Sequence, residues 1–416
     1  MKILYVSQYF PPEMGAPAAR VHELAREWAA EGHDVTVLTG FPNHPAGVVH
    51  PEYKKHLKKL VYRERIDGIN VVRTLLAPLP NRKSWERILN YTSFALSAAV
   101  TGSFLKRPDV IIATSPQLLV GMSGWWIGKA KRAPLIFEVR DLWPESIAAA
   151  GMGNETSFAY RSLKWVAGFL YRNARKIVVV TPAFKTSLID DWSVPAEKIS
   201  IVLNGVDTSL FNGRPSSADQ SLQSSPENQK FIASYIGTMG AAHGLNTILD
   251  AADSVQHVQR DIEFVFVGEG AEKARLQRVV VERGIPNVRF LPQQPRETIP
   301  GFIRSSDVCL VLLKKADTFK TVIPTKMLEF MACERPVVLG VEGQAKEIME
   351  SANAGLCIEP ENADDLLKAI SRLREDKDLR VSLGHNGSDY INGNASRSQT
   401  ARTYLEILRQ LLTEGD

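Results

Sequence analysis

Short runs of apolar and β-branched residues alternate with helical patterns along almost the whole chain. Strands separated by helices in this way are typical of parallel sheets wound by βα units. In the first helix Val21, Leu24, Ala25 and Trp28 recur at i, i+3, i+4 and i+7, and Gly32 closes it. The predicted strands are Ile3–Val6, Asp34–Thr39, Asp109–Thr114, Leu135–Val139, Lys176–Thr181, Ile199–Leu203, Phe231–Ile236, Ile262–Val267, Val288–Leu291, Val308–Leu313 and Pro336–Leu339.

A polar segment rich in Ser, Pro and Gln, residues 212–229, separates the two series of strands and is predicted to be a linker or a disordered loop. A chain of 416 residues also suits two domains better than one. We therefore predict two doubly wound, Rossmann-like α/β domains, 1–210 and 211–385. Residues 386–416 are expected to form a helical segment that packs back on the N-terminal domain. Ligands of such sheets bind beyond the carboxyl ends of the strands, which predicts a site between the domains.

The charge of the chain is unevenly distributed, although the net value is only +4. Residues 50–107 carry 12 basic and 4 acidic side chains. Basic residues at 54–87 beside an apolar helix at 88–105 suit a face that lies on anionic lipid. A solvated basic face over an ordinary core helix is the alternative. No nucleic-acid-binding motif is present, and we expect no nucleic-acid partner.

Three features predict a cytoplasmic protein at the periphery of the inner membrane. The chain begins directly with a strand-like run and shows no signal peptide. Residues 88–105 contain too many polar side chains for a membrane-spanning helix. The three cysteines, Cys309, Cys333 and Cys357, lie far apart inside apolar stretches, as expected in a reducing compartment.

Three turns that follow strands in the second half are candidates for ligand binding, and the first two are rich in glycine. The first contains Gly237, Thr238, His243 and Gly244, and the second contains Gly268 and Gly270. A glycine-rich turn that leads into a helix can present backbone N–H groups to a phosphate, although glycine also occurs in such turns for backbone reasons alone. His243 is either a cationic phosphate contact or a helix-start residue. The third turn, Leu291-Pro292, can provide an apolar platform for a base or is simply the end of a strand.

The segment Pro324-Thr325-Lys326 followed by Glu329 is the strongest local feature. Thr325 is expected to cap a helix, so Lys326 lies in the first turn, where the helix dipole disfavours a cation. A bound diphosphate would explain such a lysine, and a carboxylate at Glu329 could accept both hydroxyls of a ribose. A surface Lys–Glu pair at i, i+3 is the alternative.

In the first half, Arg140 and Asp141 end an apolar strand and are followed by Trp143, Pro144 and Glu145. We predict that Asp141 orients or deprotonates an acceptor hydroxyl or contacts the donor sugar, and that Arg140 stabilises phosphate charge. An ion pair at a loop start is the alternative. Three further candidates surround the turn after the first strand, namely Gly15 for the donor and Glu13 and Arg20 for an acceptor, with Glu145 as another acceptor residue.

Several of these motifs together resemble the family-four retaining glycosyltransferases of the GT-B fold, which has two facing domains. The resemblance covers nearly the whole chain, and its details are similar to the bacterial branch that builds O-antigen, capsule and colanic acid, including fucosamine-transferase-like members. The motifs that carry the resemblance lie at 9–15, 31–35, 140–146, 201–207, 268–270, 324–326 and 336–338.

By this resemblance Glu329 binds the donor ribose, and Lys326 with the turn at 237–244 holds the diphosphate. The chain departs from the family pattern at Thr321, where a carboxylate often stands eight positions before Glu329. It also has Thr238 and His243 where an Arg and a Lys are common. Lys326 and Lys320 are candidates for the missing positive charge.

The resemblance implies transfer of a hexose or amino-deoxyhexose from a nucleotide diphosphate sugar, UDP more readily than GDP, to a lipid-linked saccharide with retention of configuration. Lys326, Arg140, His243 and the glycine turns would stabilise charge on the leaving phosphate. No aspartate pair beside an apolar strand suggests a metal-bound diphosphate, so we expect neither a metal nor a resident cofactor. Two alternatives are a sugar-nucleotide epimerase or hydrolase of the same fold and a non-enzymatic bilobal sugar-binding protein.

Overall fold

The computed structural model describes residues 1–13, 15–43, 47–80, 83–146, 156–212, 222 and 230–413. The chain divides into two compact units, Met1–Asn204 with Arg397–Asp416 and Gly205–Ser396. The predicted linker at 212–229 lies outside the described residues except for Asn212 and Leu222.

The first unit is built on a sheet of eight described strands in the order β3-β4-β2-β1-β5-β6-β7-β8. Neighbouring strands are parallel except for β3, which pairs with β4 in the antiparallel sense. The strands are β1 (Lys2–Val6), β2 (Asp34–Gly40), β3 (Val61–Ile66), β4 (Ile69–Thr74), β5 (Val110–Thr114), β6 (Leu135–Val139), β7 (Lys176–Val179) and β8 (Ile199–Ile201). The helices are α1 (Ala16–Ala30), α2 (Pro51–Lys54), α3 (Ser84–Ser103), α4 (Leu118–Lys131), α5 (Phe158–Asn173) and α6 (Pro182–Asp190).

Alternation along the strands supplies a core on both faces of this sheet. Ile3 and Tyr5 of β1 pack with α1 on one face, whereas Leu4 and Val6 pack on the other face with α3, α4, α5 and α6. A parallel sheet covered on both faces explains why its central strands are almost continuously apolar.

The second unit contains a parallel sheet of six described strands in the order β11-β10-β9-β12-β13-β14. Its strands are β9 (Phe231–Ile236), β10 (Ile262–Val267), β11 (Val288–Leu291), β12 (Val308–Leu312), β13 (Val337–Gly340) and β14 (Gly355–Cys357). Its helices are α7 (Asn246–Val255), α8 (Lys273–Arg283), α9 (Ile299–Arg304), α10 (Thr325–Ala332), α11 (Gln344–Ala352), α12 (Ala363–Glu375) and α13 (Lys377–Asn394).

The final helix, α14 (Arg397–Thr413), belongs to the first unit and packs on α1. The indole Nε1 of Trp28 donates to the carbonyl oxygen of Ala401 at 3.0 Å. The ring of Tyr404 meets that of Trp28 edge to face, with centroids 5.3 Å apart. Arg397 and Glu23 form a buried ion pair at 2.8 Å. Apolar packing and two kinds of polar contact therefore hold this helix in place.

The structure confirms the predicted fold class and contains all eleven predicted strands, with ends within two residues of the predicted ones. The unit boundaries differ, because α13 belongs to the second unit and the returning segment starts at Arg397 rather than at residue 386. Three strands were not predicted, namely β3, β4 and β14.

The missed strands β3 and β4 lie within the segment that the sequence analysis assigned to a basic membrane patch. Arg63 and Arg65 of β3 are exposed, whereas Arg73 of β4 is fully buried and forms an ion pair with Glu64. Part of the charge at 54–87 therefore stabilises the edge of the sheet. Arg82, which belongs to the same segment, lies outside the described residues. Across the described ranges, no helix combines the length and apolar character needed to cross a membrane.

Replacing Leu408 with alanine is expected to destabilise the first unit by about 2–5 kcal/mol, because its side chain is fully buried between α14 and α1 and a cavity would remain. Denaturant unfolding followed by tryptophan fluorescence measures the change. Glu406→Ala on the exposed side of the same helix is the control and should change stability by less than about 0.5 kcal/mol. Equal losses in both variants would contradict a packing role for α14.

Candidate active site

Two glycine turns meet at the carboxyl ends of β9 and β10 in the second unit. Gly237 and Gly268 have φ angles of +141° and +144°, a region that favours glycine. A Cβ placed on Gly268 would lie 2.2 Å from the carbonyl oxygen of Gly237. The two turns therefore require glycine both for their conformation and for their close approach. Thr238 and Gly270 lie in the same two turns, and Gly270 has a φ angle of +158°.

Lys326 lies directly against the Gly237 turn. Its Nζ donates to the phenolic oxygen of Tyr235 at 2.9 Å and lies 4.1 Å from the centroid of the Tyr235 ring. A Cβ on Gly237 would be only 2.8 Å from this Nζ. The predicted cap at Thr325 is wrong, because Pro324 occupies the N-cap position and Thr325 is the first residue of α10. Lys326 nevertheless lies in the first turn of the helix.

Burial controls the protonation of this cluster. Burial lowers the pKa of Lys326 to about 7, and the carboxylate of Glu329 opposes that shift. Burial, followed by the charge of Lys326, lowers the pKa of His243 to about 4. His243 is therefore neutral at pH 7, which favours the second of its two predicted roles, a residue at the start of a helix, over a cationic phosphate contact. An anion beside Lys326 would favour its charged form.

His243 instead stabilises its own turn. Its Nδ1 lies 3.3 Å from the backbone nitrogen of Gly240, which can donate to it when that ring nitrogen carries no proton. The ring also lies edge to face against Tyr235, with centroids 6.0 Å apart. Gly244 then adopts a left-handed conformation with φ +57° before α7 begins. The imidazole thus positions the turn next to Lys326.

The two sides of this turn differ in charge. A cavity of about 170 Å³ beside Gly240 and Gly244 is lined by the acidic residues Asp250, Glu272 and Glu361 together with two basic residues, Arg275 and Lys314. Lys326, Tyr235 and His243 lie together and do not line that cavity. An anion is therefore better accommodated at Lys326 than in the cavity.

Glu329 lies one turn after Lys326 on α10, as the motif predicts, and is largely buried. Its Oε1 accepts from Nη1 of Arg296 at 3.1 Å, and the Arg296 guanidinium lies over the ring of Phe211 at 5.1 Å. The sequence analysis missed Arg296, whose only local signal is its place in the polar turn after β11. This arginine can hold the carboxylate in a fixed orientation.

Lys320 and Thr321, the two other positions discussed for the donor site, make contacts within the protein. Lys320 forms ion pairs with Asp317 at 2.7 Å and Glu342 at 3.7 Å, so its charge is already balanced. Thr321, which replaces the family carboxylate, donates its hydroxyl to the carbonyl oxygen of Thr318. Of the two predicted lysines, Lys326 is the one that lies against the Gly237 turn.

The Leu291-Pro292 corner ends β11 beside the Gly268 turn. The carbonyl oxygen of Leu291 accepts from the backbone N–H of Gly268 at 3.3 Å and from Nζ of Lys273 at 3.2 Å. Because that oxygen is occupied, the part of Leu291 that stays available to a ligand is its half-buried side chain. Pro292 is exposed.

In the first unit, Arg140 and Gly15 are neighbours at the carboxyl ends of the strands. Nη1 of Arg140 donates to the carbonyl oxygen of Pro17 at 3.4 Å, two residues after Gly15. The hydroxyl of Ser115 accepts from the Arg140 backbone N–H at 2.8 Å. Gly15 is exposed with a φ angle of +131°, a conformation that favours glycine. Arg140 therefore contacts the first turn of α1, the helix that Gly15 caps.

Asp141 and Glu145 follow at the same edge of the sheet. The indole Nε1 of Trp143 donates to Oδ2 of Asp141 at 3.2 Å, and burial raises the pKa of the Asp141 carboxyl. Burial, together with the carboxylates of Glu145 and Asp141, raises the pKa of Tyr171. Both acids therefore lie close to the same tyrosine, and a raised pKa makes Asp141 a stronger base than an ordinary aspartate.

Arg20 has a structural role, which corrects its assignment to an acceptor site. Its guanidinium is buried and pairs with the fully buried Glu138 at 2.9 Å. It also donates to the carbonyl oxygen of Leu203 and the side-chain oxygen of Asn204, and Tyr5 donates to Glu138 at 2.7 Å. This network, which the sequence analysis missed, lies beneath Arg140 and lowers the energy of burying Glu138 as an anion.

Glu13 is likewise not available as an acceptor contact. Its carboxylate is buried and accepts from the backbone N–H of Asn43 at 2.9 Å and that of Phe10 at 3.3 Å. It therefore stabilises the two loops that follow β1 and β2. Within the described ranges, no group of three or more His, Cys, Asp or Glu side chains is arranged to hold a metal ion.

Comparisons with known proteins agree with this geometry. Residues 15–205 match the family described as "Glycosyl transferase 4-like domain", and residues 217–390 match "Glycosyl transferases group 1". The protein is therefore a glycosyltransferase of the GT-B fold. More narrowly, it is a family 4-like glycosyltransferase in which a glycosyl transferase 4-like domain precedes a group 1 domain.

One relative in sequence and two solved structures illustrate this similarity. The chain is 25% identical over 382 residues to WcaI of Escherichia coli (strain K12), named as a colanic acid biosynthesis glycosyl transferase, with 89% of this chain and 91% of that protein covered. Sucrose-phosphate synthase from Thermosynechococcus elongatus superposes with a TM-score of 0.78, 20% identity and 99% coverage of both chains. Anabaena HepE in complex with UDP and glucose gives a TM-score of 0.73, 18% identity, and coverage of 98% and 99%.

We expect Lys326 to titrate with a midpoint near pH 7, well below the usual value of about 10.4, because burial disfavours its ammonium form. NMR of ¹³C-labelled lysine side chains measures the midpoint, and Lys326→Met identifies the resonance. Between the two pKa values the unfolded chain binds more protons than the folded chain, so this group makes stability rise with pH. A Lys326 resonance that titrates with the exposed lysines would contradict the burial argument.

Proposed function

We propose that this glycosyltransferase transfers a hexose or amino-deoxyhexose from a nucleotide diphosphate sugar, UDP rather than GDP, to a hydroxyl of a lipid-linked saccharide. Transfer retains the anomeric configuration and contributes to a cell-surface polysaccharide. The colanic acid relative supports the polysaccharide, and the complex of HepE with UDP supports the nucleotide. The protein acts in the cytoplasm at the inner face of the membrane, where a lipid-linked acceptor is accessible.

The observation that carries this proposal is the ammonium of Lys326 packed against the Gly237 turn. Its pKa near 7 makes the charged form sensitive to a nearby anion. A diphosphate at this position would meet a cation and the backbone of two glycine turns at once. Glu329 lies one helical turn after Lys326 and is held in place by Arg296. Its carboxylate would accept hydrogen bonds from the hydroxyls of the ribose.

The chemistry follows from where charge develops. The bond between the anomeric carbon and the phosphate oxygen breaks, the acceptor oxygen bonds to that carbon, and negative charge grows on the departing diphosphate. Lys326 and the glycine-turn backbone lower the barrier by stabilising that charge. The acceptor hydroxyl gives up its proton, for which Asp141 is the base we propose. Arg140 would add positive charge that stabilises the departing diphosphate. We expect the reaction to need no metal ion.

Glu329→Ala is expected to weaken binding of UDP by roughly ten- to hundredfold, because hydrogen bonds to a charged acceptor contribute about 1.5–3 kcal/mol. Calorimetry with a panel of nucleoside diphosphates, without metal, measures this change and identifies the base. Glu350→Ala is the matched control, since Glu350 is an exposed glutamate on α11 of the same unit.

Two results would count against the donor site. Absence of nucleotide binding to the wild type would favour a sugar-binding protein, and unchanged binding by Glu329→Ala would place the ribose elsewhere. Release of free sugar or its epimer from a bound nucleotide sugar, with no transfer to any saccharide, would favour the epimerase or hydrolase alternative.

Asp141→Asn is expected to lower the rate of sugar transfer by about 10²–10⁴-fold while leaving UDP affinity unchanged, because the amide cannot accept the proton of the acceptor. Transfer from a radiolabelled nucleotide sugar to a lipid-linked acceptor measures the rate. Asp190→Asn, an exposed aspartate of α6, serves as the control. Full activity of Asp141→Asn would assign the base to another group.

A further inference from the structure

The outward sides of α3, α4 and α5 form an apolar surface on the first unit, which we call the three-helix face. Seven large apolar side chains on it are each more than half exposed, between 53% and 86%. Soluble proteins seldom leave such a set of residues in water without a partner. The seven residues are Trp85, Ile88, Leu96 and Val100 on α3, Trp126 on α4, and Phe158 and Trp165 on α5.

On α3 this apolar stripe is a second face and not part of the core. Phe94 and Ala98 point into the sheet and are fully buried, whereas Leu96 and Val100 are 65% and 60% exposed. A helix that packs on a sheet needs one apolar stripe, and its opposite side is normally polar. The fold therefore does not explain why the outer side of α3 is apolar.

The three helices are packed closely enough to form one surface. Ser123 of α4 donates its hydroxyl to the carbonyl oxygen of Ala95 on α3 at 2.8 Å. The ring of Trp125 on α4 meets Phe169 of α5 edge to face at 5.0 Å, and Phe169 stacks on Trp165 at 5.8 Å. Aromatic contacts thus lead from α4 to the exposed indole of α5 without interruption.

The charges on these helices identify the kind of partner. Together α3, α4 and α5 contain six basic residues and one acidic residue. Trp side chains with Lys and Arg beside an apolar helix face are the composition of segments that lie at a lipid–water interface. Negatively charged head groups complement that charge. A second copy of the chain would place the same basic face against itself, which is unfavourable in a two-fold contact.

We propose that the three-helix face docks on a bilayer that contains anionic lipids, with the three helices parallel to the membrane surface. This inference rests on the proposed function in that it identifies where the enzyme meets the membrane that holds its acceptor. It keeps the predicted helix at 88–105, which corresponds to α3, and replaces most of the basic segment 54–87, part of which is β3 and β4, with α4 and α5.

The test is flotation of the full-length protein with vesicles of phosphatidylcholine and phosphatidylglycerol. A triple variant, Leu96→Gln, Trp126→Gln and Trp165→Gln, is expected to partition at least about tenfold less than the wild type, because burial of apolar area supplies most of the interfacial affinity. The control, Val258→Gln, Val281→Gln and Val381→Gln, changes three exposed valines of the second unit and should partition like the wild type. The single variant Trp165→Gln is expected to partition into vesicles about threefold less than the wild type. It tests the proposal even if the triple variant does not fold.

Binding of UDP, measured on the same preparations, separates this inference from the proposed function. Vesicle binding that the triple variant loses while UDP binding persists supports docking. Wild-type protein that binds UDP but not vesicles, or a triple variant that floats like the wild type, overturns it. A wild type that is a dimer and a triple variant that is a monomer in sedimentation equilibrium would assign the face to a subunit contact. A wild type that binds vesicles but not UDP would support the docking proposal and contradict the proposed donor site.

Discussion

The candidate site depends on the placement of one ammonium group in a poorly solvated position. Lys326 packs against Gly237 and Tyr235, and burial brings its pKa to about 7. Removing a cation from water costs free energy unless a negative group compensates for it. The φ angle of +141° favours glycine at 237, and a Cβ at this position would also displace the Lys326 ammonium. The protein therefore keeps a desolvated amine at the end of β9, and an anionic ligand would favour its charged form.

The first unit handles a buried charge in the opposite way. Arg20 and Glu138 are both buried, and each is satisfied by the other and by further hydrogen bonds from Tyr5 and to Leu203. Such a pair fixes the positions of β1, α1 and β6 but has no capacity left for a ligand. The two arginines near this edge thus differ in role, because Arg20 donates two hydrogen bonds to Glu138, whereas the Arg140 guanidinium donates at 3.4 Å to the carbonyl oxygen of Pro17.

These cases show which parts of the site can be predicted from sequence. The glycine turns and the Lys326–Glu329 pair are each part of a short sequence motif. Their chemistry can be predicted from the residues directly before and after them. The partner of Arg20 lies 118 positions away, and the Asn43 N–H that donates to Glu13 lies 30 positions away, so neither contact has a local signal. Strand β3 was missed because its exposed charges conceal the alternation that a sheet edge shows, and β4 was missed because its one charged residue, Arg73, is buried and pairs with Glu64 of β3.

The same distinction applies to helices that cover a sheet. Packing on the sheet determines the inner residues of α3, such as Phe94 and Ala98, and any polar residue would serve on the outer side. Leu96 and Val100 are there instead, and neighbouring helices add exposed tryptophans. Exposed apolar groups increase the risk of aggregation and give the isolated unit no stability. Their presence on three adjacent helices, among basic residues, is therefore best explained by a function of the surface itself, and contact with an anionic lipid surface satisfies both the apolar and the charged groups.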